Sequence, residues 1–278
     1  MSDHGLDTSA YLHRLGIAQR PAPTLAALRD LQLRHSSAIA FETLSPMLHA
    51  PVPIDLASLQ RKVLHAGRGG YCYELNLLFL ALLRELGFEA RGLTGRVVMG
   101  GPEDAMNART HMLVLVTLDG VRYTADVGFG GMVPTTPLLL DSQDVQPTPH
   151  EQYRFDRRGD GSYLLRALVA GEWRALYVFD LQPQAQVDYE VGNWYVSTHP
   201  DSVFLGQLVV ARTGEGWRKT LRNGDFAVHR TGVDTQRQRL ADADAVVAAL
   251  GSEFGIRVPH HPQLHGVIER LLREERDR

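Results

Sequence analysis

The chain contains a single cysteine among its 278 residues. One cysteine excludes an internal disulfide framework, and it also excludes zinc sites built from several thiolates. Cys72 is therefore either a small buried apolar residue, which is the usual role of a free cysteine, or a reactive group. Its neighbours in the sequence have to decide between these two roles.

The chain also lacks an excess of charge and long apolar runs, and it contains only two lysines. The 29 Lys and Arg residues nearly balance the 32 Asp and Glu residues, and the net charge of −3 creates no broad field that attracts nucleic acid or an anionic membrane. No apolar stretch has the length of a membrane span, and the segment from Met1 to Asp7 lacks the features of a signal peptide. The sequence predicts a cytoplasmic protein without nucleic acid or membrane partners.

Hydrophobic periodicity divides the chain into three parts. Helical spacing is typical of the residues before Gly87, β-branched runs with Gly and Asp turns follow, and a mixed segment with two helical stretches ends the chain. With 44% hydrophobic residues, the chain can bury a substantial core. We expect an α+β fold with a helical domain over 1–88, an antiparallel β sheet or barrel over 89–203, and an α/β segment over 204–278.

The strongest helical pattern runs from Tyr71 to Leu86 and stops at Gly87, a residue suited to the left-handed position after a helix. Cys72 lies in the first turn of this helix, where free backbone N–H groups and the helix dipole stabilise a thiolate. A glycine-rich turn before a helix can instead hold phosphate. The P-loop pattern, however, requires Lys and then Ser or Thr where this chain has Tyr71 and Cys72.

The dipeptide Asp119-Gly120 predicts a β-hairpin with a two-residue type I′ turn. Pairing Leu118 with Val121 fixes the register of the residues further from the turn. One face of the hairpin is then apolar and is expected to be the core face, with the pairs Val116 and Tyr123, Val114 and Ala125, and Met112 and Val127.

The other face of this hairpin carries polar groups. His111 is expected opposite Gly128, which makes His111 and Asp126 diagonal neighbours, roughly 7–8 Å apart at the backbone. Taken singly, such a histidine or aspartate is more often structural. A carboxylate that holds an imidazole near a thiol is nevertheless the arrangement of a catalytic triad. We therefore hypothesise a triad of Cys72, His111 and Asp126, in which the imidazole activates the thiol.

Metal binding is not expected. His260, His261 and His265 lie close together in the sequence, but Pro262 breaks the helix that would align them. No H-E-x-x-H pattern occurs in the chain, and a single cysteine cannot form a thiolate cluster. The apolar stripe over 264–272 is better explained as a packed terminal helix.

Three segments resemble the signatures of the arylamine N-acetyltransferases. In the family's order, they are Arg68-Gly69-Gly70-Tyr71-Cys72-Tyr73-Glu74, Arg109-Thr110-His111 before an apolar strand, and Asp126-Val127-Gly128-Phe129-Gly130-Gly131. Weaker matches at 11–16, 39–44 and 193–200 extend the resemblance over most of the chain. The resemblance implies a helical domain, a β-barrel and an α/β lid, with a Cys-His-Asp triad like that of papain-type proteases and transglutaminases.

The resemblance also implies a reaction. Cys72 would take an acetyl group from acetyl-coenzyme A and pass it to a small aromatic amine or hydrazine in a ping-pong mechanism. Backbone N–H groups near Cys72 would stabilise the oxyanion, while Asp126 orients His111 as the proton carrier. Acetyl-coenzyme A would be a co-substrate, no cofactor would be bound permanently, and the protein would be a monomer or a homodimer.

The same resemblance supplies the contacts to the substrates. The acyl and amine pocket of the family matches Phe41, Val97, Phe129 and Phe204. The candidate contacts to coenzyme A are Thr110, Gly128, Gly130 and Gly131. Because Lys62 and Lys219 are the only lysines, the diphosphate must rely on backbone groups or arginine.

Departures from the family and other functions also have to be considered. Thr43 stands where the family usually has Asn, and Glu42 and Arg68 are expected to form an ion pair. An amide synthase or a thiol hydrolase could use the same triad, and transfer to an amine faster than hydrolysis would separate these enzymes. A catalytically silent binding module is a third possibility, against which the intact triad argues.

Overall fold

Most helices lie in the first part of the chain and at its end, and most strands lie between them. The computed structural model describes residues 5–276. The prediction that the N-terminal segment is not a signal peptide rests partly on residues 1–4, which lie outside the described residues. The helices are Thr8–Arg14 (α1), Leu25–Ala38 (α2), Leu44–Met47 (α3), Leu56–Leu59 (α4), Cys72–Glu85 (α5), Gln186–Thr198 (α6), Ala243–Ser252 (α7) and Leu264–Arg276 (α8). A π-helical segment covers Gln60–His65, and short 3₁₀ helices cover Gly130–Met132 and Val203–Leu205.

The strands form two antiparallel sheets. Their ranges are Phe41–Glu42 (β1), Glu89–Val97 (β2), His111–Leu118 (β3), Val121–Ala125 (β4), Leu138–Leu139 (β5), Gln146–Pro147 (β6), Gln152–Arg157 (β7), Tyr163–Val169 (β8), Glu172–Phe179 (β9), Val209–Gly214 (β10), Trp217–Arg222 (β11), Asp225–Arg230 (β12) and Val233–Arg239 (β13). The larger sheet, a nearly closed barrel, has the order β5-β4-β3-β2-β9-β8-β7-β6, and the smaller has the order β1-β10-β11-β12-β13. The predicted fold of a helical domain, a β-barrel and an α/β region is confirmed.

The limits of the three domains remain a prediction. The limit after residue 88 falls between α5 and β2, whereas the limit after residue 203 falls inside a 3₁₀ helix. The helical part also contributes to the smaller sheet, because β1 pairs with β10 and Phe41 lies opposite Ala211. Among residues 5–276, every helix is too short or too polar to cross a membrane.

The predicted hairpin is confirmed near its turn. Leu118 pairs with Val121 and the ladder continues in the expected register to Ala125, while Asp119 and Gly120 have positive φ angles of 50° and 77°. The pairs expected beyond Ala125 are wrong, because the ladder stops there. The next backbone N–H groups bind side chains instead: those of residues 127 and 128 donate to Asn76 and Asp126.

The apolar face predicted for this hairpin is a core face, and the opposite face is buried as well. Met112, Val114 and Val116 belong to a core cluster shared with α5, whereas Leu113 and Leu115 belong to the core inside the barrel. A barrel strand that is covered from outside by a helix has no face in water. The polar groups near its end therefore lie in a dry environment, with His111 and Asp126 only 2% and 1% exposed.

Candidate active site

Cys72 is the first residue of α5 and is almost completely buried. The first intrahelical hydrogen bond joins the N–H of Leu75 to the carbonyl of Tyr71 at 2.9 Å, so the N–H groups of the residues between them have no partner within the helix. The thiol donates to the carbonyl oxygen of Thr110 at 3.4 Å. The reactive atom of the only cysteine therefore lies between a helix N-terminus and the residue before His111.

The turn before α5 requires its glycines. A Cβ atom on Gly69 would lie 2.0 Å from the carbonyl oxygen of Ala40, and one on Gly70 would lie 2.8 Å from the side chain of Glu74. Glu74 also accepts a hydrogen bond from the N–H of Tyr71 at 3.1 Å and caps the helix. These contacts fix the position at which the helix begins.

Four charged side chains, which we call the ion-pair cluster, lie beneath this turn. They are Glu42, Lys62, Arg68 and Glu74. The predicted ion pair is confirmed, with Arg68 Nη2 2.6 Å from Glu42 Oε1. Lys62 lies 2.7 Å from Glu74 and 3.8 Å from Glu42, so two cations face two carboxylates that have almost no exposure.

The two carboxylates of the ion-pair cluster respond differently to burial. Burial raises the pKa of Glu42, but Lys62, Arg68 and the N–H of Leu44 outweigh it and hold that pKa below its ordinary value. The pKa of Glu74 is raised, because burial and the charge of Glu42 together exceed the effect of Lys62. Glu42 is therefore the charged centre of the cluster.

His111 and Asp126 form a buried hydrogen bond, with Nε2 2.7 Å from Oδ2. A carboxylate only accepts hydrogen bonds, so Nε2 carries the proton and Nδ1 remains free to exchange one with Cys72. Asp126 has three further donors. Tyr177 Oη donates to Oδ2 at 2.9 Å, while Asn76 Nδ2 and the N–H of Gly128 donate to Oδ1 at 3.0 and 2.9 Å.

These contacts set the charges of the pair. Burial alone would lower the pKa of His111, but the carboxylate of Asp126 and the hydrogen bonds to Asp126 and Cys72 raise it to about 9. Burial would raise the pKa of Asp126, but His111 and the hydrogen bonds from Asn76 and Gly128 hold that pKa below its ordinary value. Both effects favour an imidazolium beside a carboxylate at neutral pH.

The structure brings Cys72, His111 and Asp126 together. Gly128 shows how closely the segments approach, since a Cβ atom there would lie 2.7 Å from Cys72 Cα and 2.6 Å from Asn76 Nδ2. Asn76 lies one turn after Cys72 on α5 and also donates to the carbonyl of Met112 at 2.7 Å. The helix with the thiol is thus tied to both strands of the hairpin.

Asn76 and Tyr177 were not identified from the sequence. The sequence contained a signal for Asn76, because it is the one amide in an apolar helix. It follows Cys72 by four residues, and residues four apart in a helix lie next to each other on one face. For Tyr177 no signal existed, because it lies on β9, 51 residues after Asp126. Its ring also contacts His111, with 4.6 Å between the centroids.

The four predicted substrate contacts lie on two sides of the triad. Phe41 and Phe204 pack with their ring centroids 5.9 Å apart, and Phe204 also lies 6.0 Å from the ring of Tyr71, the residue before Cys72. On the other side, the ring of Phe129 lies 4.8 Å from the His111 ring, and Val97 pairs with Tyr177 across β2 and β9. Apolar surface therefore flanks the thiol and the imidazole.

Three of the predicted coenzyme A contacts lie on the loop between the thiol and the smaller sheet, and the fourth, Thr110, accepts a hydrogen bond from the thiol. Gly130 has a φ of 56° and lies next to Phe41, and a Cβ on Gly131 would lie 2.9 Å from Thr220 on β11. With Gly128 against Cys72, this loop joins helix, barrel and smaller sheet. Within residues 5–276, no group of three or more His, Cys, Asp or Glu side chains is arranged to hold a metal ion.

Comparison with known proteins identifies the class. The N-acetyltransferase family model matches residues 24–263. The arylamine N-acetyltransferase of Mycolicibacterium smegmatis is 44% identical over 255 residues, which are 90% of this chain and 92% of that protein. The arylamine N-acetyltransferase / N-hydroxyarylamine O-acetyltransferase of Salmonella typhimurium is 38% identical over 264 residues, covering 95% of this chain and 92% of that protein.

A solved structure agrees with these matches. The structure of Mycobacterium marinum arylamine N-acetyltransferase in complex with CoA is 44% identical, covers 95% of this chain and 99% of that chain, and superposes with a TM-score of 0.90. Fold and sequence together define an acyltransferase enzyme. The chain belongs to the arylamine N-acetyltransferase family.

Proposed function

We propose that the protein is an acetyl-coenzyme A-dependent N-acetyltransferase that acts on arylamines and arylhydrazines through an acetylated Cys72. One observation carries the proposal: the only cysteine of the chain begins α5 beside an imidazole held by a buried carboxylate at 2.7 Å. The M. marinum relative that was solved with CoA supports the acyl donor, and the name of the M. smegmatis relative supports the acceptor.

In the first half-reaction, His111 already holds the proton of the thiol as an imidazolium, and the thiolate of Cys72 attacks the carbonyl carbon of the acetyl thioester. The N–H groups of Cys72 and Tyr73 at the start of α5 can donate hydrogen bonds to the oxyanion. The bond from that carbon to the sulfur of coenzyme A then breaks. The leaving sulfur takes a proton from the His111 imidazolium, and the acetyl group stays on Sγ.

In the second half-reaction, the nitrogen of the arylamine attacks the same carbonyl carbon. The bond to Sγ breaks, Cys72 leaves as a thiolate, and Nδ1 of His111 accepts the proton lost by the amine. The carboxylate of Asp126 keeps the ring oriented and stabilises the imidazolium without taking the proton itself. The thiolate and the imidazolium are then ready for the next acetyl group.

We carry over the substrate contacts from the family. The acyl group and the amine contact Phe41, Val97, Phe129 and Phe204. Coenzyme A contacts Thr110, Gly128, Gly130 and Gly131. Flat apolar side chains on both sides of the thiol suit an aromatic acceptor, and exposed backbone N–H groups of a glycine loop suit the polar parts of coenzyme A.

The test is to incubate the protein with acetyl-coenzyme A, with and without an arylamine. Acetyl-coenzyme A alone should leave one acetyl group on Cys72, visible by intact mass, and the adduct should disappear when the amine is added. Initial-rate plots against one substrate at fixed levels of the other should be parallel. Cys72→Ser should form no adduct, because a hydroxyl lacks the acidity and nucleophilicity of sulfur.

The other functions predict different results. A thiol hydrolase releases coenzyme A at the same rate without an amine, an amide synthase prefers a longer acyl chain, and a silent binding module releases none. Intersecting rate plots without an adduct, together with wild-type turnover in Cys72→Ser, would mean direct transfer between bound substrates and would remove Cys72 from the mechanism.

Three further features belong to this proposal. We assign the enzyme to the cytoplasm, and we expect it to act as a monomer or a homodimer. We also retain the division into a helical domain over 1–88, a barrel over 89–203 and a lid over 204–278. Gel filtration of the purified protein tests the oligomeric state.

A further inference from the structure

A cavity of about 560 Å³ lies on the side of α5 away from Cys72. It is bordered by α4, α5, β2 and the first half of α6, and it shares no residue with the triad or with the proposed substrate contacts. A volume between roughly 300 and 1,000 Å³ is typical of sites for small molecules. The chain therefore contains a possible ligand site that the proposed reaction does not use.

The floor of the cavity is apolar and comes from α5. Leu77, Leu80 and Ala81 lie at the helical spacing that forms one stripe, and Arg84 continues that stripe to the rim. Leu77 is five residues after Cys72, so at about 100° per residue it lies roughly 140° round the helix from the thiol. One helix thus presents its nucleophile on one side and an apolar floor on the other.

Polar groups converge at the rim of this cavity. Arg84 donates from Nε to the carbonyl of Ala90 at 3.0 Å, and Arg91 donates to the carbonyl of Leu181 at 3.0 Å. Within residues 5–276, neither guanidinium forms an ion pair with a carboxylate. Both cations consequently keep donors and charge that the protein itself does not neutralise.

The side chain of Tyr189 lies near both of these cations. It sits directly on the backbone of Gly92, where a Cβ atom would come within 2.2 Å of Tyr189 Oη. Burial raises the pKa of Tyr189 to about 12, while the nearby charges of Arg84 and Arg91 act in the opposite direction. The hydroxyl is protonated at neutral pH and has no hydrogen-bond acceptor among residues 5–276.

Two acidic side chains also border the cavity, but neither neutralises the arginines. Asp55 caps α4 by accepting from the N–H of Ser58 at 2.9 Å, and the charge of Arg61 lies close to it. Glu190 is exposed at the rim and forms no ion pair with either arginine among residues 5–276. Both guanidinium groups therefore remain available to an anion above an apolar floor.

We propose that this cavity binds a small carboxylic acid with a flat apolar body. The body lies on Leu77, Leu80 and Ala81, while the carboxylate accepts from the two guanidinium groups and from Tyr189. Arginine suits this role because its planar donors match the two oxygens of a carboxylate. An apolar body with a single charged end uses both halves of the site.

The experiment measures binding of 2-naphthoate to the full-length protein by calorimetry, with 2-naphthamide as the uncharged analogue. One molecule should bind, and the amide should bind at least tenfold more weakly. Arg84→Met and Arg91→Met should each weaken binding roughly tenfold, as for the loss of a hydrogen bond to a charged group. Ala81→Phe should abolish binding by filling the floor.

Two controls localise the site. Arg29→Met removes an exposed arginine from α2, outside the cavity, and should leave the affinity unchanged. Glu190→Gln removes an exposed acid at the rim and should tighten binding severalfold. With ¹³C-labelled leucine, the methyl signals of Leu77 and Leu80 should shift as 2-naphthoate is added.

Several results would overturn the proposal. These are the absence of saturable binding, equal affinity for the acid and the amide, or an affinity that both arginine variants leave unchanged. The arginine variants change side chains at the rim, so they remain informative if Ala81→Phe fails to fold. None of these readings depends on acetyl transfer, so they are independent of the proposed reaction.

Discussion

Two buried groups of charges meet at the first turn of α5, and they differ in how the charges are balanced. The ion-pair cluster contains two cations and two carboxylates, so its charges neutralise one another. The triad contains one carboxylate, Asp126, whose partners are neutral donors and a single titratable ring. Three neutral donors stay on Asp126 when His111 loses its proton, so the ring can change its charge while the carboxylate remains hydrogen-bonded.

This difference separates the structural role of the ion-pair cluster from the catalytic role proposed for the triad. The ion-pair cluster has no free position, because Arg68 and Lys62 are both engaged with carboxylates and Glu42 also binds the N–H of Leu44 at 2.7 Å. Its effect is to fix the turn that precedes Cys72. In the triad, Asp126 holds only Nε2 of His111, so Nδ1 can give and accept a proton.

The largest effect is expected from Asp126→Asn. Without the carboxylate, His111 loses the charge that stabilises its imidazolium and the acceptor that fixes its tautomer, so turnover should fall by about 10⁴. Initial rates of acetyl transfer at saturating acetyl-coenzyme A measure this fall. Some stability should also be lost, because Asp126 is 1% exposed and accepts four hydrogen bonds.

Asp141→Asn is the matched control for that variant. Asp141 pairs with Arg122 at the surface, and its loss should change neither turnover nor the free energy of unfolding by a measurable amount. A folded Asp126→Asn protein with near-normal turnover would mean that the carboxylate does not orient the base.

The next largest effect is expected on stability, from Arg68→Met. This change leaves the fully buried Glu42 with only the distant Lys62, so the free energy of unfolding should fall by about 3–5 kcal/mol. Urea unfolding measures it, and turnover per folded molecule should change much less. Arg20→Met, which breaks an exposed pair with Glu85, should cost less than about 1 kcal/mol. Lost turnover at unchanged stability would make the cluster part of the chemistry.

Local chemistry accounts for the parts of this site that the sequence predicts well. The dipeptide Asp119-Gly120 sets the hairpin register, since both residues tolerate positive φ. The helix after Gly70 follows from a long apolar pattern that Gly87 ends with a φ of 89°. These signals lie within a few residues of the structures that they determine.

The parts that were missed or wrong depend on distant partners. The strand ends before Asp126 because the side-chain oxygen of Asn76, on α5, accepts the hydrogen bond from the N–H of Val127. Tyr177 reaches Asp126 only after the barrel has closed. Phe41 and Phe204 look like ordinary core residues in the sequence, and only the family resemblance assigned them to a pocket. Residue spacing in the sequence does not indicate these contacts, because they join residues that are far apart in the chain.

A smaller effect is expected on the pH dependence of the free energy of unfolding, and it distinguishes the triad from the ion-pair cluster. Folding raises the pKa of His111 from 6.5 to about 9. Its contribution to stability is complete below pH 6.5 and is lost as the pH rises through about 9, because the folded state holds a proton that the unfolded state has released. The free energy of unfolding should fall in this range by up to about 1.4 kcal/mol per pH unit.

Urea unfolding between pH 6 and pH 9.5, expressed as a series of free energies, measures this slope. His111→Gln should remove the slope. Arg68→Met should lower the free energy of unfolding by the same amount at each pH, so the slope should remain. If the slope persists in His111→Gln, another group is responsible and the ring of His111 is not protonated in the folded enzyme.

The smallest effect is expected from Tyr177→Phe, which removes one donor from Asp126 and keeps the ring that packs on His111. A hydrogen bond to a charged group contributes about 1.5–3 kcal/mol, and the three remaining donors compensate for part of it, so kcat should fall roughly tenfold. KM for acetyl-coenzyme A should stay the same. Tyr153→Phe is the matched control, because this equally buried hydroxyl donates to the carbonyls of Met132 and Val133 and not to the triad. Steady-state rates of both variants distinguish the two roles of the hydroxyl. Equal losses of kcat would show that the hydroxyl of Tyr177 supports only the barrel. A loss of kcat confined to Tyr177→Phe would add a fourth side chain to the triad.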